Sequence, residues 1–185
     1  LGGGFARYSV DAAWRVPHFE MMLYDNAAML RNYATAYHLT GETWAREVAH
    51  GVAGWLMREL AFDPDADPDA SGGTESHASP RQIGFYCALD ANQQGEEGAY
   101  YVWSQEEFRR TAAEDADLAA AHYGVVPGGP FEGKNVLYEA ADEQALSARF
   151  RLEPEKVHTR LERVRQRLLA VRGGRPKPHV DDKAL

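Results

Sequence analysis

The sequence predicts a mainly α-helical protein with one small inserted β-hairpin, and three observations support this. Residues 18–39 contain neither Gly nor Pro, and this length suffices for about six helical turns. Residues 42–60 carry their apolar side chains on one side at helical spacing. Two aromatic-rich runs between residues 84 and 103 favour short strands. We therefore expect paired helices with a hairpin inserted between them.

The first predicted helix combines apolar faces with ionisable residues. Pro17 suits its first turn, because the N–H that proline lacks would have no helical partner there. Apolar residues occupy two of its three faces, a pattern typical of a helix buried among other helices. His18, Glu20 and Asp25 nevertheless lie near its start, where burial is costly unless such groups are paired or functional.

Capping signals mark the starts of the later helices. Thr40 is the expected N-cap of the second helix, and Ser104 with Glu107 forms a capping box for a helix beginning near residue 105. Asp142 can cap a further helix. Residues 153–171 form a long amphipathic helix with an apolar stripe of Val157, Leu161, Val164, Leu168 and Val171. We expect its arginines to form a solvated face rather than an anion site.

The predicted hairpin pairs residues 84–89 with residues 99–103, and residues 95–98 form the connection. Near the end of the chain, Asp181 or Asp182 is expected to cap another helix. No internal sequence repeat is visible, so the helices resemble one another only in pattern.

Residues 62–80 are predicted to form a flexible acidic loop, because they are rich in Asp, Pro, Gly and Ser. Asp63, Asp65 and Asp67 have the spacing of a calcium-binding loop. However, Pro68 stands where such a loop needs Gly, and Thr74 stands where it needs Glu. We therefore expect a solvated loop and no metal site.

The composition excludes several classes of protein. The net charge of −8 and the pI near 5.4 argue against nucleic acid and against an anionic membrane surface as partners. No apolar run approaches the ~20 residues that span a bilayer. Cys87 is the single cysteine, so an internal disulfide and a CxxC redox pair are both excluded. We expect a cytoplasmic protein of one domain.

Five segments of the chain, in order, resemble one protein family. They are GGGFARYSVD (2–11), VPHFEMMLYDNA (16–27), ALDANQQGEEGAYYVW (88–103), FEGKNVL (131–137) and RPKPHVDDKAL (175–185). The family is that of thioredoxin-domain-containing proteins related to spermatogenesis-associated protein 20. Several ordered segments are far more specific than any lone motif.

The resemblance implies an (α/α)6 toroid like that of N-acylglucosamine 2-epimerases and six-hairpin glycosidases. Residues 1–185 would be the N-terminal, incomplete part of this toroid. A thioredoxin-like domain would precede Leu1, and the remainder of the toroid would follow Leu185. Both are therefore expected partners of this segment.

Four ionisable residues are the candidate acid/base groups. The first turn of an inner toroid helix should lie at the central depression, where its N–H groups and dipole favour an anionic or hydroxyl-rich ligand. His18 suits general acid/base work, since imidazole titrates near neutral pH. We expect the catalytic candidates to line or border one depression: His18, Glu20, Asp25 and Asp90. The alternative is a satisfied buried network with no catalytic role.

A second set of residues could bind the substrate. Arg7 and Tyr8 precede the first helix and are expected at the rim, and Tyr24 can contact Glu20 at the i, i+4 spacing. Aromatic rings beside carboxylates suit sugar rings, although simple packing is the alternative. The remaining candidates are Glu96, Tyr100 and Trp103 near the hairpin, and His179, Asp181 and Lys183, which the resemblance alone singles out.

Two positions depart from the family pattern. Met21 stands where the family usually has Lys, and Asn92 stands where it usually has an acidic residue. If those residues act in chemistry, this protein has altered it. Two functions therefore stay open. The first is an enzyme that epimerises or isomerises a carbohydrate by proton transfer, with glycoside hydrolysis as the lesser alternative. The second is a non-catalytic module that binds a carbohydrate or a protein. No cofactor is expected in either case.

Overall fold

The computed structural model describes residues 1–63, 83–93 and 95–184, and it confirms a mainly helical protein. These residues form six α-helices and six short strands. They divide into two compact units, which are described separately. The first unit comprises Leu1, Tyr8–Phe19 and Ala91–Pro178, and the second comprises Gly2–Arg7, Glu20–Asp90 and His179–Leu185.

The second unit contains a pair of helices, α1 (Leu23–Thr40) and α2 (Thr43–Glu59), which pack against each other. Gly41 ends α1 in the left-handed conformation, and its N–H donates to the carbonyl of Tyr37 at 2.8 Å. This is the usual way in which glycine terminates a helix. The turn between the two helices therefore follows from the sequence.

The start and the burial of α1 differ from the prediction. The helix begins at Leu23 and not at His18, because Phe19 has a φ of 64°, which a right-handed helix excludes. The following two residues form a strand. Of the residues in α1, only Asn26 is buried. The prediction of a helix buried on two faces is therefore wrong for this chain.

A four-stranded antiparallel sheet completes the second unit. Its central strand is β3 (Gly84–Leu89), which pairs with β1 (Met21–Met22), with β2 (Ala61–Phe62) and with β6 (Val180–Ala184). Met22 lies opposite Ala88 in β3, and Asp181 of β6 lies opposite the same residue. Since a strand has two edges, β1 and β6 flank β3 on opposite sides.

The first unit holds four helices: α3 (Gln105–Ala112), α4 (Ala116–Tyr123), α5 (Glu143–Phe150) and α6 (Pro154–Gly173). The two caps predicted in this unit are confirmed, whereas the predicted cap of α2 is wrong, because Thr40 is the last residue of α1 and Glu42 is the N-cap of α2. The Ser104 hydroxyl accepts from the N–H of Glu107 at 3.1 Å, and the Asp142 carboxylate accepts from the N–H of Ala145 at 2.7 Å. The predicted stripe of α6 is buried at Val157, Leu161, Val164 and Leu168, whereas Val171 is exposed.

The α6 arginines do more than the solvated face that was predicted. Arg160 and Arg163 both bind the carboxylate of Asp115, whose side chain is fully buried. Arg167 pairs with Glu114 at 3.3 Å. The guanidinium groups are partly exposed, so the arginines meet solvent and also neutralise a buried charge.

The predicted hairpin is wrong in its pairing. Residues 99–103 form turns and an isolated bridge instead of a strand. A smaller hairpin lies in the first unit, where β4 (Asn92–Gln93) pairs with β5 (Glu96–Glu97). The end of the chain is strand β6 and not the start of a helix capped by Asp181 or Asp182. Strand β3, the predicted first strand of the hairpin, pairs instead with β1, β2 and β6, which are all distant in sequence.

Most of the predicted acidic loop, residues 62–80, lies outside the described residues; Phe62 belongs to β2 and Asp63 follows it. None of the helices in the described part of the chain combines the length and apolar composition needed to cross a membrane.

Candidate functional site

One face of the second unit's sheet forms a polar cavity of about 290 Å³. Its walls come from three separate parts of the chain: the β1 region, the end of β3, and β6. Seven residues line it: Glu20, Met22, Ala88, Asp90, His179, Asp181 and Lys183. Five of these were candidate site residues in the sequence.

The strand period explains why these residues share a face. Side chains alternate between the two faces of a sheet, so residues two apart lie on the same side. Glu20 and Met22 have this spacing, as do Ala88 and Asp90. The opposite face carries Met21 and Leu89, which pair across β1 and β3 and are buried. One face of the sheet is therefore core and the other is a polar surface.

Asp90 lies between Glu20 and His179 on this face. The N–H of Asp90 donates to the carbonyl of His179 at 2.8 Å, which extends the β3–β6 pairing by one residue. Continuing the β1–β3 register by one residue puts Glu20 opposite Asp90 on the other side. Neighbouring strands lie ~4.8 Å apart, so Glu20 and His179 flank Asp90 about 10 Å from each other.

Arg7 orients Glu20. Its backbone N–H donates to the carbonyl of Glu20 at 3.0 Å, and its guanidinium donates to the Glu20 carboxylate at 3.1 Å. The guanidinium also lies 3.9 Å from Asp25 and 5.9 Å from the centre of the Tyr24 ring. The hydrogen bond to Glu20, together with the nearby Tyr24 and Asp25, raises the pKa of Arg7. Arg7 is therefore a cation that pairs with a carboxylate of the cavity.

Lys183 binds the carboxylate of Asp181 much as Arg7 binds that of Glu20. Its ammonium lies 3.2 Å from the Asp181 carboxylate, and its backbone N–H donates to the same group at 3.3 Å. These two hydrogen bonds lower the pKa of Asp181, with the charges of Lys183 and His179 adding to the effect. Asp181 is therefore a stable carboxylate that accepts hydrogen bonds.

The segment that carries Arg7 is held by Asn26, a residue that sequence reasoning missed. Asn26 is fully buried in the first turn of α1. Its amide accepts from the N–H of Phe5 at 2.7 Å and donates to the carbonyl of Phe5 at 3.0 Å. It also donates to the carbonyl of Met22 at 2.9 Å. An Asn on an otherwise apolar helix face was the available signal, since buried amides are usually hydrogen-bonded.

Glycines bring the same segment close to α2. A Cβ on Gly3 would lie 1.9 Å from the carbonyl oxygen of Gly51, and Gly3 has a φ of +80°. A Cβ on Gly4 would lie 2.5 Å from the side chain of Met21 and 2.6 Å from Trp55. Only glycine fits such an approach. The close packing against α2 therefore requires glycine at these positions, and it positions Arg7 to bind Glu20.

Tyr8 and His18 lie in the first unit. Their rings stack with centroids 4.6 Å apart, and the N–H of His18 donates to the carbonyl of Tyr8 at 2.9 Å. His18 is half-buried, whereas Tyr8 is exposed. The stacking gives His18 a structural role in its own loop, and its predicted catalytic role stays a prediction.

Tyr100 and Trp103 of the first unit do not present ring faces to solvent. They are 3% and 0% exposed, respectively. The guanidinium of Arg172 lies 5.3 Å from the Tyr100 ring, and that of Arg175 lies 4.1 Å from the Trp103 ring. The structure therefore gives both rings the packing role that was the alternative to sugar binding. Glu96 is exposed and lies 3.6 Å from Lys134.

The two residues that depart from the family pattern, Met21 and Asn92, lie in different environments. Met21 is buried on the core face of the sheet, so its side chain points away from the cavity. Asn92 is exposed in β4 of the first unit. Neither residue lines the cavity. Among the described residues, no group of three or more His, Cys, Asp or Glu side chains is arranged to hold a metal ion.

Fold and cavity together define a mainly helical protein that carries a mixed acidic and basic site on one face of a small antiparallel sheet. No protein-family model matches the chain. Its curated relatives are more informative: the chain is homologous over its whole length to spermatogenesis-associated protein 20.

The human form of that protein is 35% identical, and the mouse form is 33% identical. An uncharacterised protein of Caenorhabditis elegans is 24% identical. Each alignment covers all of this chain, but only 25%, 24% and 26% of the respective relatives. The chain therefore spans about a quarter of the length of the curated relatives it matches.

Proposed function

We propose that the sheet-face cavity binds a carbohydrate and transfers protons on it, as an epimerase or isomerase does. One observation carries the proposal: Glu20, Asp90 and His179 lie side by side on one polar face, above an apolar floor of Met22 and Ala88. Carboxylates accept hydrogen bonds from sugar hydroxyls, and the apolar face of a sugar ring suits an apolar floor.

The order of the three groups suits proton transfer next to a carbonyl. Epimerisation removes a proton from one face of a carbon and returns a proton to the other face, so it needs two acid/base groups. Glu20 and His179 flank Asp90 on its two sides, about 10 Å apart, so a small ligand bound above Asp90 would meet both groups. His179 is a suitable acid/base group, and Asp90 or Glu20 can supply the second.

A binding module without catalysis is the second candidate, and one observation favours it. Carboxylates of the cavity are engaged by cations, Glu20 by Arg7 and Asp181 by Lys183. Such carboxylates are good hydrogen-bond acceptors but poor bases, because the neighbouring cation stabilises the ionised form. Binding without turnover is the result that this candidate predicts.

We further propose that this chain forms part of an (α/α)6 toroid and works beside a thioredoxin-like domain. The pair α1 and α2, joined by a short turn, supports the first part, since such helical hairpins are the repeating unit of a toroid. The family resemblance supports the second part.

Turnover of a panel of aldoses by the full-length protein in deuterated water tests the function. Solvent deuterium at C2 of the sugar supports epimerisation. His179→Gln and Asp90→Asn should each reduce turnover by about 10²–10⁴-fold, because each removes a proton-transfer group. Glu97→Gln removes a carboxylate from the exposed β5 of the first unit and should leave turnover unchanged. Binding without deuterium exchange favours the module.

A further inference from the structure

We propose that a groove beside α2 binds a small organic cation of the quaternary-ammonium class. The groove lies in the second unit, is lined by α2 and by residues 3–5, and has a volume of about 370 Å³. This volume lies within the usual range of small-molecule sites. The groove shares no lining residue with the sheet-face cavity, so the proposal does not depend on the carbohydrate function.

Aromatic rings form one wall of this groove. Trp44, in the first turn of α2, lines the groove together with Phe5 and is 55% exposed. Tyr33 contacts both rings: it stacks on Phe5 with centroids 5.7 Å apart, and it meets Trp44 edge to face at 6.0 Å. An accessible aromatic ring attracts a cation through its quadrupole, and the indole of Trp does so best.

Glu47 supplies the negative charge that complements a cation. Of the described residues that line the groove, it is the one with a charged side chain, and it follows Trp44 by about one helical turn. In the part of the chain that the structure describes, its carboxylate has no ion-pair or hydrogen-bond partner. Val48 and Val52 add apolar surface to the same groove. An accessible indole, a carboxylate and apolar side chains together favour a cation that carries apolar groups.

Both sides of the groove are held in place by contacts within the second unit. Asn26 binds the N–H and the carbonyl of Phe5, which fixes the non-helical side. Gly3 approaches the backbone of Gly51 so closely that no Cβ fits at Gly3. Helix α2 is anchored in turn by buried residues such as Trp55. A preformed groove loses little conformational freedom when a ligand binds, so a weak electrostatic attraction suffices for selectivity.

Binding of choline to the full-length protein, measured by ligand-observed NMR, tests the proposal, with the uncharged carbon isostere of choline as the second probe. We expect choline to bind about fivefold or more tightly than the isostere, because only choline gains the cation–π contact and the attraction to Glu47. Trp44→Leu keeps an apolar side chain but removes the ring, and Glu47→Gln keeps the shape but removes the charge. Each should weaken choline binding about threefold or more, and Glu47→Gln should leave binding of the isostere unchanged.

Trp14→Leu and Glu106→Gln are the matched controls, because both residues are exposed and lie in the first unit, outside the groove. Neither change should alter choline binding. Equal binding of choline and its isostere would overturn the cation preference, and choline binding that Trp44→Leu and Glu47→Gln leave unaltered would overturn the site. Absence of choline binding would also overturn the proposal, and a large fall in melting temperature for Trp44→Leu would then identify another part of the full-length chain as the occupant.

Discussion

The side chain of Asn26 binds both backbone polar groups of Phe5, accepting from the N–H at 2.7 Å and donating to the carbonyl at 3.0 Å. This double hydrogen bond fixes a non-helical segment to the first turn of α1. Two residues later in the same segment, Arg7 reaches Glu20 at the cavity. The link from a buried amide to a cavity carboxylate underlies the first prediction.

Asn26→Ala should lower the free energy of unfolding by about 2 kcal/mol or more, because it strips hydrogen-bond partners from Phe5 and Met22. Asn32→Ala is the matched control, since Asn32 is exposed on the same helix. It should raise the free energy of unfolding slightly, by less than about 0.7 kcal/mol, because Ala has a higher helix propensity than Asn. Denaturant unfolding of the full-length variants measures both, and equal effects would contradict the role of Asn26.

Gly3→Ala should displace the glycine segment, because the new Cβ would lie 1.9 Å from the carbonyl oxygen of Gly51 and φ is +80°. We expect a clear fall in melting temperature and weaker ligand binding, since Arg7 lies in the displaced segment. Gly54→Ala in α2 is the control, because nothing lies within 4 Å of its added Cβ. That change should stabilise the helix by about 0.5–1 kcal/mol. A Gly3→Ala protein as stable as the unmodified one would refute the close approach.

Ala88→Val should weaken ligand binding about tenfold or more while every charged group of the cavity is retained. Ala88 lies on the cavity floor opposite Met22 and Asp181, and the added methyl groups occupy space that the ligand needs. Met22→Leu keeps the floor volume nearly constant and should cost little binding. Calorimetric titration with the best-binding sugar compares the two variants. Unaltered binding by Ala88→Val would show that the ligand does not use this floor.

Stability should depend on pH through Asp115. Burial opposes ionisation of Asp115, but hydrogen bonds from Arg163 and Arg160 outweigh it and lower the pKa. Because the pKa of Asp115 is lower in the folded state than in the unfolded state, ionisation of Asp115 stabilises the fold. This stabilisation is fully present above the unfolded-state pKa of about 3.9 and is lost as pH falls through the folded-state pKa. Asp115→Asn should destabilise the protein by about 1–3 kcal/mol at pH 7, less than a fully buried pair, because both arginines remain partly solvated.

The control for Asp115 lies two residues further on. Asp117 also binds an arginine, Arg109, at 2.6 Å, but its side chain is 76% exposed. Asp117→Asn should therefore change stability by less than about 1 kcal/mol. Unfolding measured between pH 3 and pH 7 separates the two variants. A pH profile that Asp115→Asn leaves unaltered would contradict the argument.

Local signals predicted the helices of the first unit well. The caps at Ser104 and Asp142 and the buried stripe of α6 depend on residues within a few positions of one another, so the sequence shows them directly. The pairing of the strands was harder to predict from the sequence. The pairing of β3 with β1 and β6 joins residues 88, 22 and 181, and no local pattern specifies partners so far apart. Residues 99–103 have strand-like composition, but they form turns and one isolated bridge, between Trp103 and Asn135.

The sequence by itself marked Glu20 and Asp90 as candidates for chemistry, whereas His179, Asp181 and Lys183 became candidates only through the family resemblance. Only the tertiary structure decided that these five share a cavity, whereas Tyr100 and Trp103 are packed away from solvent. The physical reason is the pleat of the sheet. Register across three strands selects which side chains point to one face, and a shift of one residue would have buried them instead.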